Sequence, residues 1–170
     1  LVFPDRTKQT GLVTKTDINE TLTTVNVTGS SLKRLDFSKK IQYNALNTIE
    51  ASNSAVESIS FATTTSLKTL NCNNTKVANL NLSIAASLEH LEFYNCSNLS
   101  SITVNKPTLA NNGNFKYLDC HNCAITSLTK INKCQGLEYL DCSNNNITSL
   151  DLETPTGAGI LGLAKGNLKT

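Results

Sequence analysis

The chain has 170 residues, enough for one compact domain or one run of stacked repeats and too few for two independent domains to be expected. Its 15 basic and 13 acidic residues leave a formal net charge of +2, which excludes the electrostatic footprint of a nucleic-acid or membrane-surface binder. Apolar runs are too short for a transmembrane helix, and no signal-peptide pattern can be read at the N-terminus. The sequence contains no methionine, so residue 1 is expected to arise by processing or trimming, with an export signal or lipid anchor as the kind of segment removed. Abundant Asn, Ser and Thr with only 16% charged residues is a balance common on secreted surfaces.

In chain order, residues 1–21 fall outside any repeat and are expected to cap one end of the core. From Leu22 the chain reads "LTTVNVTGSSLKRLDF", and "KKIQYNA" before Leu46 has loop composition. From Leu46 comes "LNTIEASNSAVESISF", and from Leu67 "LKTLNCNNTKVANLNL". From Leu88 the unit is "LEHLEFYNCSNLSSITV", with one extra residue after Cys96, followed by the loop "NKPTLANNGN". From Phe115 it is "FKYLDCHNCAITSL", and from Leu137 "LEYLDCSNNNITSLDL". Six units thus start near residues 22, 46, 67, 88, 115 and 137 and fill residues 22–152 of what is expected to be a single domain. Residues 153–170 are expected to form a degenerate last unit, starting at Ile160, or a C-terminal cap.

Within each unit, positions 4 and 6 are apolar and alternate with polar residues, the period of a strand with one buried face. Position 1 closes the same buried row, and positions 11 and 14 supply apolar anchors after the chain turns. A unit this short cannot bury its face alone, so neighbours must stack and share a parallel sheet. Units of about 21 residues leave little room for a helix on the other side, where extended or 3₁₀ segments are expected. The pattern LxxLxLxx(N/S/T)xLxxLxL resembles the leucine-rich repeat family, and its wording "LxxLxCxxNxIxxLxL" is most similar to bacterial cell-surface members, notably Bacteroidetes surface proteins and, more distantly, internalins. The resemblance implies a leucine-rich repeat solenoid of the α/β type, a right-handed superhelix with a parallel sheet on its concave face and 3₁₀ or extended segments on its convex side.

The stretch "LDCHNC", Leu118 to Cys123, looks in isolation like half a zinc site or a redox motif. In the repeat, however, Cys120 takes position 6, the row of Val27, Ala51, Cys72, Phe93 and Cys142. Cys123 takes position 9, with Ser30, Ser54, Thr75, Cys96 and Asn145, a row that the resemblance implies points inward and bonds the turn backbone. No other CxxC exists to complete a zinc set, and CxxCH is absent, so both thiols are expected to be buried and structural, with no metal and no cofactor. Cys96 with Cys123 and Cys120 with Cys142 are lateral neighbours at bridging distance, but parallel side chains seldom meet disulfide geometry, and free thiols are expected. Cys134, in a loop, is expected to be the exposed one.

Positions 2, 3, 5, 7 and 8 should face away from the core, onto the surface that the resemblance makes concave. In early units these residues are small and polar. In later units they become a patch of His90, Glu92, Tyr94, Tyr117, Asp119, His121, Tyr139 and Asp141, holding both histidines and three of the four tyrosines. Exposed tyrosine with histidine and carboxylates is the composition of recognition surfaces for proteins and sugars. Tyr117 and Tyr139 packing side by side is the structural alternative. Glu92, Asp119 and Asp141 should form a lateral row of like charges, and Asn53, Asn74, Asn95, Asn122 and Asn144 at position 8 a stack of amide hydrogen bonds.

No nucleophile elbow, phosphate loop or metal motif supports an enzyme. The expected function is a non-catalytic, extracellular or bacterial cell-surface recognition module, binding a protein or glycan but no nucleic acid. The alternative is a spacer or display segment of a larger surface protein.

Overall fold

The computed structural model describes residues 23–37, 45–61, 66–82, 87–103, 114–128, 131, 134 and 136–150. The two terminal segments expected to act as caps, and the two long loops before the Leu46 and Phe115 units apart from Ala45 and Asn114, lie outside these residues.

The first half of each unit forms a short strand through positions 3 to 5. These are β1 (Thr24–Asn26), β3 (Thr48–Glu50), β5 (Thr69–Asn71), β7 (His90–Glu92), β9 (Tyr117–Asp119) and β10 (Tyr139–Asp141). They pair in parallel in the order β1-β3-β5-β7-β9-β10, and every pair matches like positions, as in Leu91 opposite Leu118 opposite Leu140. The ladder runs past the strand ends. The position 6 N–H donates to the position 5 carbonyl of the next turn (Phe93 to Asp119, 2.8 Å), and the position 8 N–H to its position 7 carbonyl (Asn95 to His121, 3.0 Å).

The far side of the solenoid is extended, as the short units require, and it is more regular than isolated extended segments. β2 (Arg34–Phe37) pairs with β4 (Ser58–Phe61), and β6 (Asn79–Asn81) pairs with β8 (Ser101–Thr103), both in parallel. The described residues contain no α-helix. Both walls there are β, so the helical part that an α/β class allows is missing from them.

Between the walls, the repeat positions become stacked rows of buried side chains. Position 4 supplies Val25, Ile49, Leu70, Leu91, Leu118 and Leu140, each 0–1% exposed. Position 6 adds Val27, Ala51, Cys72, Phe93 and Cys120, and position 11 adds Leu32, Val56, Val77, Leu99, Ile125 and Ile147, all buried. Phe37 stacks on Phe61 at a centroid distance of 5.9 Å, closing the far wall. No single turn encloses its own leucines, so each turn is stable only against its neighbours.

The turn after each strand explains the asparagine column and adds something the alternation of residues does not carry. Asn53, Asn74, Asn95, Asn122 and Asn144 all have positive φ, between 53° and 58°, and Gly29, at the same position of the first unit, has φ 68°. Glycine and asparagine are the residues that adopt this left-handed conformation at least cost. The amides also stack as expected: Asn74 Nδ2 donates to Asn53 Oδ1 (2.9 Å), Asn122 Nδ2 to Asn95 Oδ1 (2.9 Å) and Asn144 Nδ2 to Asn122 Oδ1 (2.7 Å).

Position 9 turns inward and bonds backbone. Ser54 Oγ donates to the Ala51 carbonyl, Thr75 Oγ1 to that of Cys72 (2.7 Å), and Cys123 Sγ lies 3.0 Å from the Phe93 carbonyl. Asn145 Nδ2 donates to the carbonyls of Cys120 and Cys142. "CHNC" is therefore two structural positions of one turn, and all six cysteines are free thiols. Two expectations are overturned: Cys123, expected to be buried, is half-buried, with its Sγ held at the turn beside the Phe93 and His121 carbonyls, and Cys134, expected to be exposed, is buried. Cys134 is 3% exposed, because its N–H bonds the Ile131 carbonyl and its own carbonyl accepts from Leu137, which tucks the side chain into the core. Burial pushes its thiol up to about 11.

Candidate functional site

The outer face of β7, β9 and β10 carries the predicted patch, and the in-line register turns its eight residues into three rows. At position 3, His90, Tyr117 and Tyr139 stand one behind another. His90 and Tyr117 stack at 4.2 Å with planes 9° apart, and Tyr117 and Tyr139 at 4.3 Å with planes 5° apart. At position 7, Tyr94 and His121 form a second stack, 4.9 Å apart with an interplanar angle of 10°. The two histidines thus belong to different rows. The packing of Tyr117 against Tyr139 is real, and it is one step of a longer aromatic ladder.

Position 5 runs between the ring rows. Glu92, Asp119 and Asp141 are register partners, so three carboxylates line up across adjacent strands. They sit deeper than an exposed sheet face implies: the side chains of Glu92, Asp119 and Asp141 are only 22%, 9% and 16% exposed. Flanking rings and histidines shelter them. Each carboxylate also has local donors. His90 Nε2 lies 2.7 Å from Glu92 Oε1, and His121 Nδ1 lies 2.6 Å from Asp119 Oδ1 and 3.9 Å from Asp141 Oδ2. The backbone N–H of His121 donates to Asp119 and that of Ser143 to Asp141, each an Asx turn between positions 5 and 7.

The same turn recurs where position 5 is neutral. Asn26 accepts the N–H of Thr28 and Asn71 that of Asn73. A short Asn or Asp at position 5 therefore has a structural task in this fold, and the negative charge of Asp119 and Asp141 is additional to it.

Crowded acidic groups shift the titration of their neighbours. Burial, then the Glu92 carboxylate, pushes the Glu50 carboxyl above its ordinary value, with His90 opposing. Burial foremost, then interaction with Tyr139 and the nearby carboxylates, holds the Tyr117 hydroxyl well above the usual tyrosine range, and Tyr139 is raised in the same direction by burial, Asp119 and Asp141. Both phenols stay neutral hydrogen-bonding groups at physiological pH.

Asp119, His121 and Asp141 can place one donor atom each within 4.8 Å of the others. Their Asx-turn and imidazole hydrogen bonds account for this closeness without an ion.

Three contributors were not singled out by sequence reasoning. Asn73, at position 7, is 2% exposed; it donates to Glu92 Oε2 (2.8 Å) and accepts the N–H of Tyr94 (3.0 Å), fixing the start of both rows. Its signal was its place in the column of Tyr94 and His121. The position 2 residues form ion pairs along the rim, Lys68 with Glu89 (2.9 Å) and Lys116 with Glu138 (2.7 Å). Glu50 extends the acidic row two strands further, beyond Asn71.

Residues 114–154 match the family model for leucine-rich repeats in two copies. No curated protein matches the sequence. Among solved structures, the functional domain of InlJ from Listeria monocytogenes, described as including a cysteine ladder, is similar over 76% of this chain at 17% identity with a TM-score of 0.44. The chain spans 36% of the length of that structure's chain. No helix among the described residues is long and apolar enough to cross a membrane.

Proposed function

From the premise that this chain is a leucine-rich repeat solenoid, we propose that it is a non-catalytic recognition module, bacterial and exposed at the cell surface or secreted, whose ligand seats on the outer face of β7, β9 and β10. The observation that supports this best is the change in character along one sheet. The first three strands present small polar groups and one carboxylate, Glu50, whereas the last three present two rows of rings on either side of a sheltered carboxylate row. A scaffold needs only the core rows and the left-handed turn residue, asparagine or Gly29, which every unit already has. The aromatic and acidic residues are extra, and aromatic side chains bring large contact area at low entropic cost. No metal, cofactor or nucleic acid belongs to this reading, and the ligand is a protein or a glycan.

The spacer reading has one observation in its favour: the rings of each row pack on one another, which stabilises the sheet without a partner. Arrays of peptides and glycans probed with the wild type and with Tyr117→Ala and Tyr139→Ala separate the two. A recognition face gives binders that both variants lose by tenfold or more. A spacer gives no binder that either substitution affects.

A further inference from the structure

The geometry points to a partner of one chemical kind: resting on the recognition reading above, we propose that the face takes a protein segment presenting arginine side chains, whose guanidinium groups reach the carboxylate row between the two ring rows.

Ring faces argue first. A sugar binds an aromatic platform by laying its C–H face on an open ring face. Here Tyr117 is covered on both faces, by His90 at 4.2 Å and Tyr139 at 4.3 Å, and Tyr94 and His121 cover each other at 4.9 Å. Tyr117 therefore offers its edge and hydroxyl toward a ligand above the sheet, and no open ring face.

What lies between the rows is a floor of acceptors. Glu92, Asp119 and Asp141 are 9–22% exposed, reachable only by a slender group that passes the rings and ends in donors. An arginine side chain has that form, an apolar stem and a planar fork of N–H donors that matches carboxylates. Adjacent parallel strands lie about 4.8 Å apart, a spacing that lets one guanidinium bridge carboxylates of neighbouring turns.

Charge argues in the same direction. Residues 88–94, 115–121 and 137–143 hold five acidic residues, Glu89, Glu92, Asp119, Glu138 and Asp141, and one basic residue, Lys116. With neutral histidines these residues, together with Lys68, which pairs with Glu89, carry a net charge of −3, on a chain whose formal net charge is +2. Such a field repels acidic partners and gives a neutral sugar no advantage, while it concentrates a basic segment at the face.

The test uses the full chain with fluorescein-labelled hexa-arginine followed by anisotropy, hexa-lysine and hexa-glutamate as comparisons, and neutral hexasaccharides titrated separately. The decisive variant is Asp119→Asn/Asp141→Asn, because Asn26 and Asn71 already make the same Asx turn at this position and the fold has no need of the charge. Hexa-arginine is expected to bind, hexa-lysine several-fold less tightly and hexa-glutamate not at all. The double variant should lose tenfold or more, while Glu57→Gln, which removes a charge beyond the sheet face, should change affinity less than twofold. Absence of hexa-arginine binding, or equal losses in the double variant and in Glu57→Gln, overturns the proposal. If a neutral hexasaccharide binds instead and Tyr139→Ala abolishes that binding, the arginine inference falls and the recognition face stands. If no probe responds to any change on β7, β9 or β10, both fall.

Discussion

Two single positions show how local chemistry fixes the turn. Gly29 has φ 68°, and a Cβ added there would meet no atom within 4 Å, so a substitution is penalised by the backbone alone. Gly29→Ala should cost roughly 1–2 kcal/mol and Gly29→Asn distinctly less, since the other turns use asparagine in this conformation. Denaturant midpoints of the two variants, compared at equal slope, check the order; equal losses would contradict it. Position 9 gives a second contrast. Thr75 Oγ1 bonds the Cys72 carbonyl at 2.7 Å, whereas Ser30 Oγ, in the same column, is buried with no hydrogen-bond partner among the described residues. Thr75→Val should therefore destabilise by about 1 kcal/mol, and Ser30→Ala should be neutral or stabilising. These features were half legible in the sequence. The asparagine column and its amide stack follow from the repeat, but the left-handed turn does not, because asparagine also serves in right-handed turns and caps; the substitution of Gly29 into that column was the available clue.

At the scale of the strand, side chains interact mainly with the same position one turn away. Among the described residues Tyr117 has a ring on each side and Tyr139 one, so Tyr117→Ala should lose two stacking contacts and Tyr139→Ala a single one. With each aromatic pair contributing about 0.5–1.5 kcal/mol, urea unfolding should rank Tyr117→Ala as the costlier change. The acidic row has a pH signature. The folded-state value of Glu50 is raised, so the folded protein binds that proton more firmly than the unfolded chain, and ionising the group opposes folding. Stability from this site is present at low pH and is lost as pH rises from the ordinary value of 4.5 through the raised one. Glu50→Gln should accordingly raise the thermal midpoint at pH 7 and leave it unchanged near pH 4; the same gain at both pH values would refute the assignment. Alternation within units made the strand faces legible, and the patch residues were all placed on the correct face. Their depth was not: Asp119 lies at 9% side-chain exposure with His121 bonded to it and its register partners Glu92 and Asp141 on either side, a consequence of stacking that one unit's pattern cannot express.

For the whole molecule, periodicity carries the fold and also produces the misleading motif. Two cysteines three apart resemble a chemical site, yet each is explained by its column: Cys120 by Cys72 and Cys142, Cys123 by Thr75 and Cys96. Cys134 was misplaced because it precedes Leu137 outside the repeating columns, where composition alone suggests a surface loop. The recognition face likewise depends on register, since a slip of one residue along a strand would exchange core and surface. Burial pushes the thiols of Cys72 and Cys120 well up and raises Cys142, and the hydrogen bond with Cys96, then burial, raises Cys123. Cys96 is the low member of that pair through its hydrogen bonding with Cys123 and Thr75, but at 0% exposure no reagent reaches it. The most direct measurement of the register is therefore residue-resolved alkylation followed by mass spectrometry, native against denatured and without reductant. The expected result is no rapid labelling at Cys72, Cys96, Cys120 or Cys134, slow labelling confined to the partly exposed Cys123 and Cys142, and all six modified after unfolding. Rapid native labelling of Cys120, or a denatured count below six, would contradict the register and with it the face assigned to recognition.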